Sequence, residues 1–127
     1  MTRFAFVSDM VARFHLSIGQ EFGDGESGTP SRKKMHEQEH QELVEALDSG
    51  VLADIVQELA DVVYVAYGTA YSLGIPLDLV IAEVHKANMR KIGPNGPILR
   101  DGKVMKPPGW TPPDVAGVLQ YYANDSC

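Results

Sequence analysis

The sequence predicts an all-α fold, with a core of four helices followed by a short hairpin and an irregular C-terminal tail. Apolar residues recur at helical spacing in four long stretches, as amphipathic helices require. Clusters of glycine and proline separate these stretches. Hydrophobic residues make up 44% of the 127-residue chain, which is enough to build one core. We therefore expect a single domain over residues 1–127.

The first helix is expected over residues 4–18 and should end near Gly19. Its apolar face consists of Phe6, Met10, Val11, Phe14 and Ile18. Residues 23–30 are rich in glycine, serine and proline and predict a loop. The second helix should run from about residue 32 to 47, and the glycine-containing stretch 48–50 ends it.

The third helix is the longest and most apolar of the four. Residues 51–73 contain no proline, and the stretch stops at Gly74. Its second half is apolar almost all round, so we expect this helix at the centre of the fold or at a subunit interface. Its predicted buried stripe consists of Ile55, Leu59, Val62, Ala66 and Leu73. Pro76 and Asp78 open a fourth helix that runs to about Arg90.

The segment after residue 92 has a different character. Asp101-Gly102 suits a tight two-residue turn, so residues 98–106 predict a small hairpin. The proline-rich stretch 107–114 should be extended, and we interpret Trp110 as a packing residue within it. A short terminal helix is expected to follow, through Val118, Leu119 and Tyr122.

Composition excludes several functional classes. The net charge of −6 argues against a general nucleic-acid binder, which needs a basic face. The one cysteine, Cys127, leaves no intramolecular disulfide, which fits a reducing compartment. Neither an apolar run long enough to span a membrane nor a secretory signal is apparent. We expect a soluble, cytoplasmic protein without nucleic-acid or membrane partners.

Four acidic residues lie beside the predicted core stripes of the second and third helices. At about 100° per residue, Glu39 falls among the apolar side chains of its helix and Glu42 falls at their edge. The apolar side chains in question are Met35, Leu43, Ala46 and Leu47. Glu58 and Asp61 have the same spacing on the third helix. A short connection favours antiparallel neighbours, which would bring the four carboxylates together. Such a cluster suits Mg²⁺ or Mn²⁺, although four solvated acids on two surface helices remain the alternative.

The same region contains an H-E-x-x-H pattern, formed by His36, Glu37 and His40. On a helix this pattern is typical of zinc peptidases, and Glu58 could then supply a third ligand. No strand precedes the pattern to hold an extended substrate, and no third histidine follows it. Glu37, the supposed base, also points away from the core. We therefore expect His36 and His40 to flank the acidic site or to help pack it.

The order and spacing of the acidic residues resemble those of a known superfamily. The motif E-x-x-E (Glu39 to Glu42), followed after a spacer by E-x-x-D (Glu58 to Asp61), resembles the all-α nucleoside triphosphate pyrophosphohydrolases. These comprise the MazG-like proteins, the dimeric dUTPases and phosphoribosyl-ATP pyrophosphohydrolase. ELADVVYVAYGTAYSLGI, EVHKANMRK and RDGKVMKPPGWTPPD extend the likeness over nearly the whole chain. One departure is Gln38, where members commonly carry a further acid.

The resemblance implies a four-helix MazG-like core and a Mg²⁺-dependent hydrolase. Cleavage between the α- and β-phosphates would release a nucleoside monophosphate and pyrophosphate. Glu39, Glu42, Glu58 and Asp61 would hold the metal ions, and Glu39 or Glu42 would accept the water proton. We expect a (deoxy)nucleoside triphosphate such as dUTP as substrate. Phosphoribosyl-ATP and a non-catalytic nucleotide-binding module are the alternatives.

By resemblance, His15, Asn88 and Lys91 are candidates for substrate binding. Lys103 and Lys106 flank the predicted hairpin and could close over the phosphates, from the same subunit or from a second one. Each has a simpler interpretation, as a buried histidine, a polar helix end or a solvated hairpin. Tyr64 and Tyr67 could stack on a base or simply pack. By the same resemblance, and from the apolar third helix, we expect a homodimer or a dimer of dimers.

Overall fold

The computed structural model describes residues 6–25 and 30–125, and it confirms the all-α class. The described part contains helices α1 (Val7–Ser17), α2 (Pro30–Ser49), α3 (Leu52–Leu73), α4 (Leu77–Met89) and α5 (Val115–Asp125), with strands β1 (Leu99–Arg100) and β2 (Lys103–Val104). Residues 4 and 5 of the first predicted helix, residues 26–29 of the predicted loop and Cys127 lie outside the described residues. The chain falls into two compact units, residues 1–76 and 77–127. The single-domain prediction stays a prediction.

Helix α3 is the central helix of the first unit, because α1 and α2 both pack against it. It ends where Gly74 adopts a left-handed φ of 71°, and its N–H donates to the carbonyls of the last turn. The buried side chains lie in the C-terminal half of the helix and include Tyr67, Ala70 and Tyr71. The prediction of a central position is therefore confirmed for this unit.

The predicted buried faces were wrong in part. Helix α1 buries Val11 and His15, whereas Met10, Phe14 and Ile18 are about half exposed. On α1, α2 and α3, the face that contacts a neighbouring helix is narrower than the apolar face of the same helix. Apolar residues beside the contact therefore remain exposed to solvent. For the same reason Met35 and Leu47 on α2, and Leu59 and Leu73 on α3, are exposed rather than buried.

The second unit joins α4 to the hairpin and α5. Strands β1 and β2 pair antiparallel, with Leu99 opposite Val104 and Arg100 opposite Lys103. Asp101 and Gly102 both adopt positive φ, as the predicted two-residue turn requires. Asp114 caps α5 by accepting a hydrogen bond from the N–H of Gly117 at 3.0 Å. The predicted hairpin is confirmed, and the terminal helix is longer than expected.

No single helix in the described residues is long and apolar enough to cross a membrane. Helices α3 and α4 pass that test only when taken together, and then by length and composition alone.

Candidate active site

Two antiparallel helices, α2 and α3, carry the predicted acidic residues. The helices are joined by only Gly50 and Val51, and the positive φ of 71° at Gly50 lets the chain reverse within this link. Glu39 and Glu42 lie on α2, and Glu58 and Asp61 lie opposite on α3. The short connection thus produces the face-to-face arrangement of carboxylates that the sequence predicted.

Three of the four acids form one cluster. Glu39, Glu58 and Asp61 each place one carboxylate oxygen within 4.8 Å of the other two, and all three residues are half-buried. Glu42 lies beside this cluster, and its Oε1 accepts a hydrogen bond of 3.1 Å from Nε2 of Gln38. Gln38, which departs from the superfamily pattern, therefore orients the fourth carboxylate, that of Glu42, through a hydrogen bond.

The cluster contains carboxylate oxygens that have lost water without gaining a partner. Oε2 of Glu39 and Oε2 of Glu58 are buried, and neither has a hydrogen-bond partner within the described residues. Burial raises the pKa of both carboxyl groups above the ordinary value of 4.5, and the negative charges of Glu42 and Asp61 raise it further. An unpaired buried carboxylate is unfavourable, so a cation at this place would relieve the penalty.

The donor set indicates which cation would fit. The cluster offers only carboxylate oxygens, which are the ligands that hard divalent ions such as Mg²⁺ and Mn²⁺ prefer. The residues present therefore fit a divalent metal ion.

The histidines of the H-E-x-x-H pattern do not join this cluster. Nε2 of His36 lies 2.6 Å from Oγ1 of Thr69, in a hydrogen bond between α2 and α3. Glu37 is exposed, and its Oε1 lies 3.9 Å from Nζ of Lys33 in a surface ion pair. The expectation that the histidine pattern helps to pack the helices, rather than to form a peptidase site, is met at His36.

A buried arginine fixes α2 against α3 beside the cluster. Nη2 of Arg32 donates to the carbonyl of Val65 at 3.0 Å and to Oγ1 of Thr69 at 2.8 Å. Its guanidinium crosses α3 at Gly68, where an added Cβ would lie 2.6 Å from Nη2. Sequence reasoning missed this contact, although Arg32 lies two helical turns before Glu39 on the same face of α2.

A cavity of about 190 Å³ opens next to this arginine, between α1, α2 and α3. Met35 and Val65 line it, and they lie one helical turn from Glu39 and Asp61, which is about 6 Å along each helix. The other lining residues are Phe14, His15, Ile18, Gln20, Ser31, Arg32, Tyr64 and Gly68. The lining, which is mostly apolar with a few polar groups, resembles that of small-molecule sites, and the cavity lies close to the acidic cluster.

His15 is the one predicted substrate residue that lines the cavity. It is only 5% exposed, and its Nδ1 lies 2.6 Å from Oε1 of Gln20. Its ring stacks on Tyr71, with 5.1 Å between the ring centroids. Tyr67 is buried and packs in the core, whereas Tyr64 reaches the cavity. The structure therefore shows a packed histidine at the wall of a cavity.

The remaining predicted substrate residues belong to the second unit. Asn88, Lys103 and Lys106 are exposed, and Lys91 is half-buried. The ammonium groups of Lys91 and Lys106 both lie over the ring of Trp110, at 5.5 and 5.0 Å from its centroid.

A comparison with protein families finds a match that includes the acidic helix pair. Residues 19–88 match the sequence model of the family described as phosphoribosyl-ATP pyrophosphohydrolase. This match covers more than half of the chain and includes all four acidic positions. The chain belongs to the phosphoribosyl-ATP pyrophosphohydrolase family. No curated protein sequence matches it closely enough to name a relative.

Membership of this family confirms the resemblance drawn from the sequence. It indicates a pyrophosphohydrolase, which is a hydrolase of acid anhydrides that acts on a nucleotide. Members are typically metal-dependent, in agreement with an acidic cluster that could bind a metal ion. His15, Lys91, Lys103 and Lys106 lie outside the matched range, so the family match does not bear on their predicted roles.

Proposed function

We propose that the protein is a Mg²⁺-dependent nucleotide pyrophosphohydrolase. It cleaves a (deoxy)nucleoside triphosphate, such as dUTP, between the α- and β-phosphates and releases pyrophosphate. The observation that carries this proposal is the cluster of Glu39, Glu58 and Asp61, in which two buried carboxylate oxygens have no partner among the described residues. Hydrolysis of a phosphoanhydride depends mainly on positioning the phosphates and neutralising their charge. A cation bound by such a cluster would contribute to both.

The four acids have distinct roles in this proposal. Glu39, Glu42, Glu58 and Asp61 hold Mg²⁺, with Mn²⁺ as the alternative ion. When bound, a divalent cation neutralises phosphate charge and activates water for attack. Glu39 accepts the water proton at its carboxylate, because it lies in the cluster where the metal ion would bind and so beside the water that the ion would activate. Glu42 is the alternative base.

The cavity beside the cluster supports a nucleoside triphosphate as substrate. Its volume of about 190 Å³ is below the ~300–1,000 Å³ typical of sites for drug-sized ligands. A single base fits such a space better than a purine that carries a second phosphorylated ribose. Tyr64 would contact the ring and His15 would close the cavity wall. Asn88, Lys91, Lys103 and Lys106 are proposed to contact sugar or phosphate.

Phosphoribosyl-ATP is the second candidate substrate, because the matched family is described by that activity. Both substrates contain a triphosphate that is cleaved at the same bond, so the acidic cluster serves either of them. The two substrates differ in the groups around the base, so the shape of the base-binding region should select between them. A direct assay of both compounds shows which one is hydrolysed.

The test is a panel of ribo- and deoxynucleoside triphosphates together with phosphoribosyl-ATP, assayed with Mg²⁺ and with Mn²⁺. Pyrophosphate and orthophosphate are measured separately, because only pyrophosphate marks cleavage between the α- and β-phosphates. We expect Glu58→Gln to lower turnover at least about 100-fold, since it removes a carboxylate from the reacting centre. Glu45→Gln is the matched control, because Glu45 is an exposed acid of α2 whose one hydrogen bond among the described residues is to Gln41.

Two outcomes would contradict the proposal. Orthophosphate as the main product would place cleavage at another bond. Binding of a nucleotide without turnover of any substrate in the panel would favour a non-catalytic nucleotide-binding module.

We also propose that the enzyme is a homodimer or a dimer of dimers in the cytoplasm. Leu52, Val56, Leu59 and Val63 follow one another at helical spacing along α3, and each is between 46% and 73% exposed. A continuous apolar stripe of this kind suits the face of a second copy. Light scattering on wild type and on Val56→Lys tests this, and a monomeric wild-type protein would refute it.

A further inference from the structure

The cavity between α1, α2 and α3 is lined by two polar side chains whose hydrogen-bonding roles follow from their chemistry and contacts. These are Gln20, three residues after the end of α1, and Arg32, in the first turn of α2. Among the described residues, no aspartate or glutamate lines the cavity. The lining therefore favours an electron-rich ligand group over a cationic one.

The backbone of Gln20 is fixed on both sides. Its N–H donates to the carbonyl of His15 at 2.9 Å, and the hydroxyl of Tyr71 donates to its carbonyl at 2.8 Å. The N–H of Gly23 donates in turn to the carbonyl of Tyr71 at 2.9 Å, which fastens the rest of this turn to α3. The side chain of Gln20 is therefore carried on a backbone that is ordered before a ligand binds.

The carboxamide of Gln20 has a defined direction. Its Oε1 lies 2.6 Å from Nδ1 of His15. Because an amide oxygen can only accept, Nδ1 of His15 is the protonated nitrogen and donates this bond. The oxygen of the amide is directed at the histidine, and both amide N–H donors lie on the other branch, at Nε2. Gln20 therefore offers a ligand in the cavity a donor rather than an acceptor.

Arg32 is a donor at every nitrogen, and its side chain is only 7% exposed. Its Nε and Nη2 donate to Oγ1 of Thr69 at 3.1 and 2.8 Å, which fixes the plane of the guanidinium. Its Nη1 contacts Sδ of Met35 at 3.5 Å, and Met35 also lines the cavity. A thioether sulfur is a weak acceptor, so the carbonyl oxygen of a ligand would be a stronger partner for Nη1.

We infer that Gln20 and Arg32 are specificity-determining residues, which select a base with a carbonyl oxygen over a base with an amino group. The inference rests on the proposed function, in which the base of the nucleotide occupies this cavity. Uracil and cytosine differ in this respect, because uracil carries an acceptor oxygen at C4 where cytosine carries an amino donor. The oxygen accepts from Nε2 of Gln20 or from Nη1 of Arg32, whereas the amino group places a donor against a donor. Uracil nucleotides are therefore bound more tightly than cytosine nucleotides.

The test compares the binding of dUMP and dCMP to the full-length protein by calorimetry in the presence of EDTA. The monophosphates carry the base without a triphosphate, and EDTA removes any cation from the acidic cluster, so the measurement reports on the base. We expect dUMP to bind at least about tenfold more tightly than dCMP, as the loss of one hydrogen bond to a charged donor predicts. Heteronuclear NMR should also show the Nε–H signal of Arg32 shifting as dUMP saturates the protein, which tests Arg32 without a substitution.

Two substitutions of Gln20 separate recognition from packing. Gln20→Glu keeps the shape of the side chain but replaces the amide donors by an acceptor oxygen, so the preference for dUMP should fall at least about tenfold or reverse. Gln20→Met removes the polar group and should bring the two affinities closer together. Gln120→Glu is the matched control, because it makes the same change at an exposed residue of α5 and should preserve the preference. Circular dichroism shows whether each variant is folded, and if Gln20→Glu is unfolded, Gln20→Met decides the question.

The proposal is overturned if dCMP binds as tightly as dUMP, if neither binds, or if the folded Gln20 variants keep the preference of wild type. Preferential binding of dUMP by a protein that hydrolyses no nucleotide would refute the proposed function and leave the base selectivity in place. Release of pyrophosphate from dUTP and dCTP with equal kcat/KM would support the proposed function and refute the selectivity.

Discussion

Gly68→Ala offers a sharp test of how α2 is held against α3. In an ordinary exposed helix this change stabilises the protein by about 1 kcal/mol, because alanine is the better helix former. Here the added Cβ would lie 2.6 Å from Nη2 of Arg32 and 2.9 Å from Nε2 of His15. Real Cβ atoms essentially never come within 3.0 Å of a neighbour, so the guanidinium must move away.

The size of the effect follows from what the movement disrupts. Overpacking a tight contact costs about 1–3 kcal/mol. Displacing Arg32 also weakens hydrogen bonds from a charged donor to Val65 and Thr69, each worth about 1.5–3 kcal/mol. If the movement costs about as much as one of these hydrogen bonds, and the gain in helix propensity is subtracted, we expect the free energy of unfolding to fall by about 2–5 kcal/mol.

Urea unfolding followed by circular dichroism measures this change. Gly93→Ala is the control, because nothing lies within 4 Å of its added Cβ and its φ is not positive. In an Arg32→Met background, Gly68→Ala should cost at least about 1 kcal/mol less than in wild type, since the two residues interact. A Gly68→Ala protein as stable as wild type would refute the reasoning, because Arg32 could not then lie across α3 at this point.

Three further predictions concern the acidic cluster and the tail. With EDTA present, the free energy of unfolding should fall as the pH rises above 4.5. The raised pKa values of Glu39 and Glu58 mean that the folded state binds more protons than the unfolded state in that window. Glu39→Gln should flatten this fall in urea titrations at a series of pH values, and a stability that rises through the window would contradict the pKa directions. Saturating Mg²⁺ at about 100 times its Kd should add about 2.7 kcal/mol to wild type at neutral pH and much less to Glu58→Gln, as thermal unfolding would show. Gly109→Ala should lower the free energy of unfolding by about 1–2 kcal/mol, because φ is 78° there, and an unchanged urea midpoint would argue against the turn.

The sequence carried enough local information to predict the helices and the hairpin. Gly50 and Gly74 mark helix ends, and Asp101-Gly102 forms the turn that its composition indicates. These features depend on backbone sterics within a few residues, which is why a single sequence reveals them. Boundaries moved by up to three residues, because helix ends depend on capping contacts that spacing alone does not specify.

The candidate site was predictable to the extent that helical periodicity determines it. Spacing placed Glu39 on the same face as the core and placed Glu58 beside Asp61, and the structure brings these three carboxylates together. It did not predict that Gln38 would bond the carboxylate of Glu42, since that depends on side-chain rotamers along α2.

The sequence by itself determined the fold class, the acidic helix pair and the family to which the chain belongs. Only the tertiary structure decided which apolar residues are buried, because burial depends on which faces meet and not on apolar character. It also showed the guanidinium of Arg32 lying across Gly68 and two lysines lying over Trp110. These contacts join residues far apart in the chain, and neither periodicity nor spacing encodes the side-chain directions that create them.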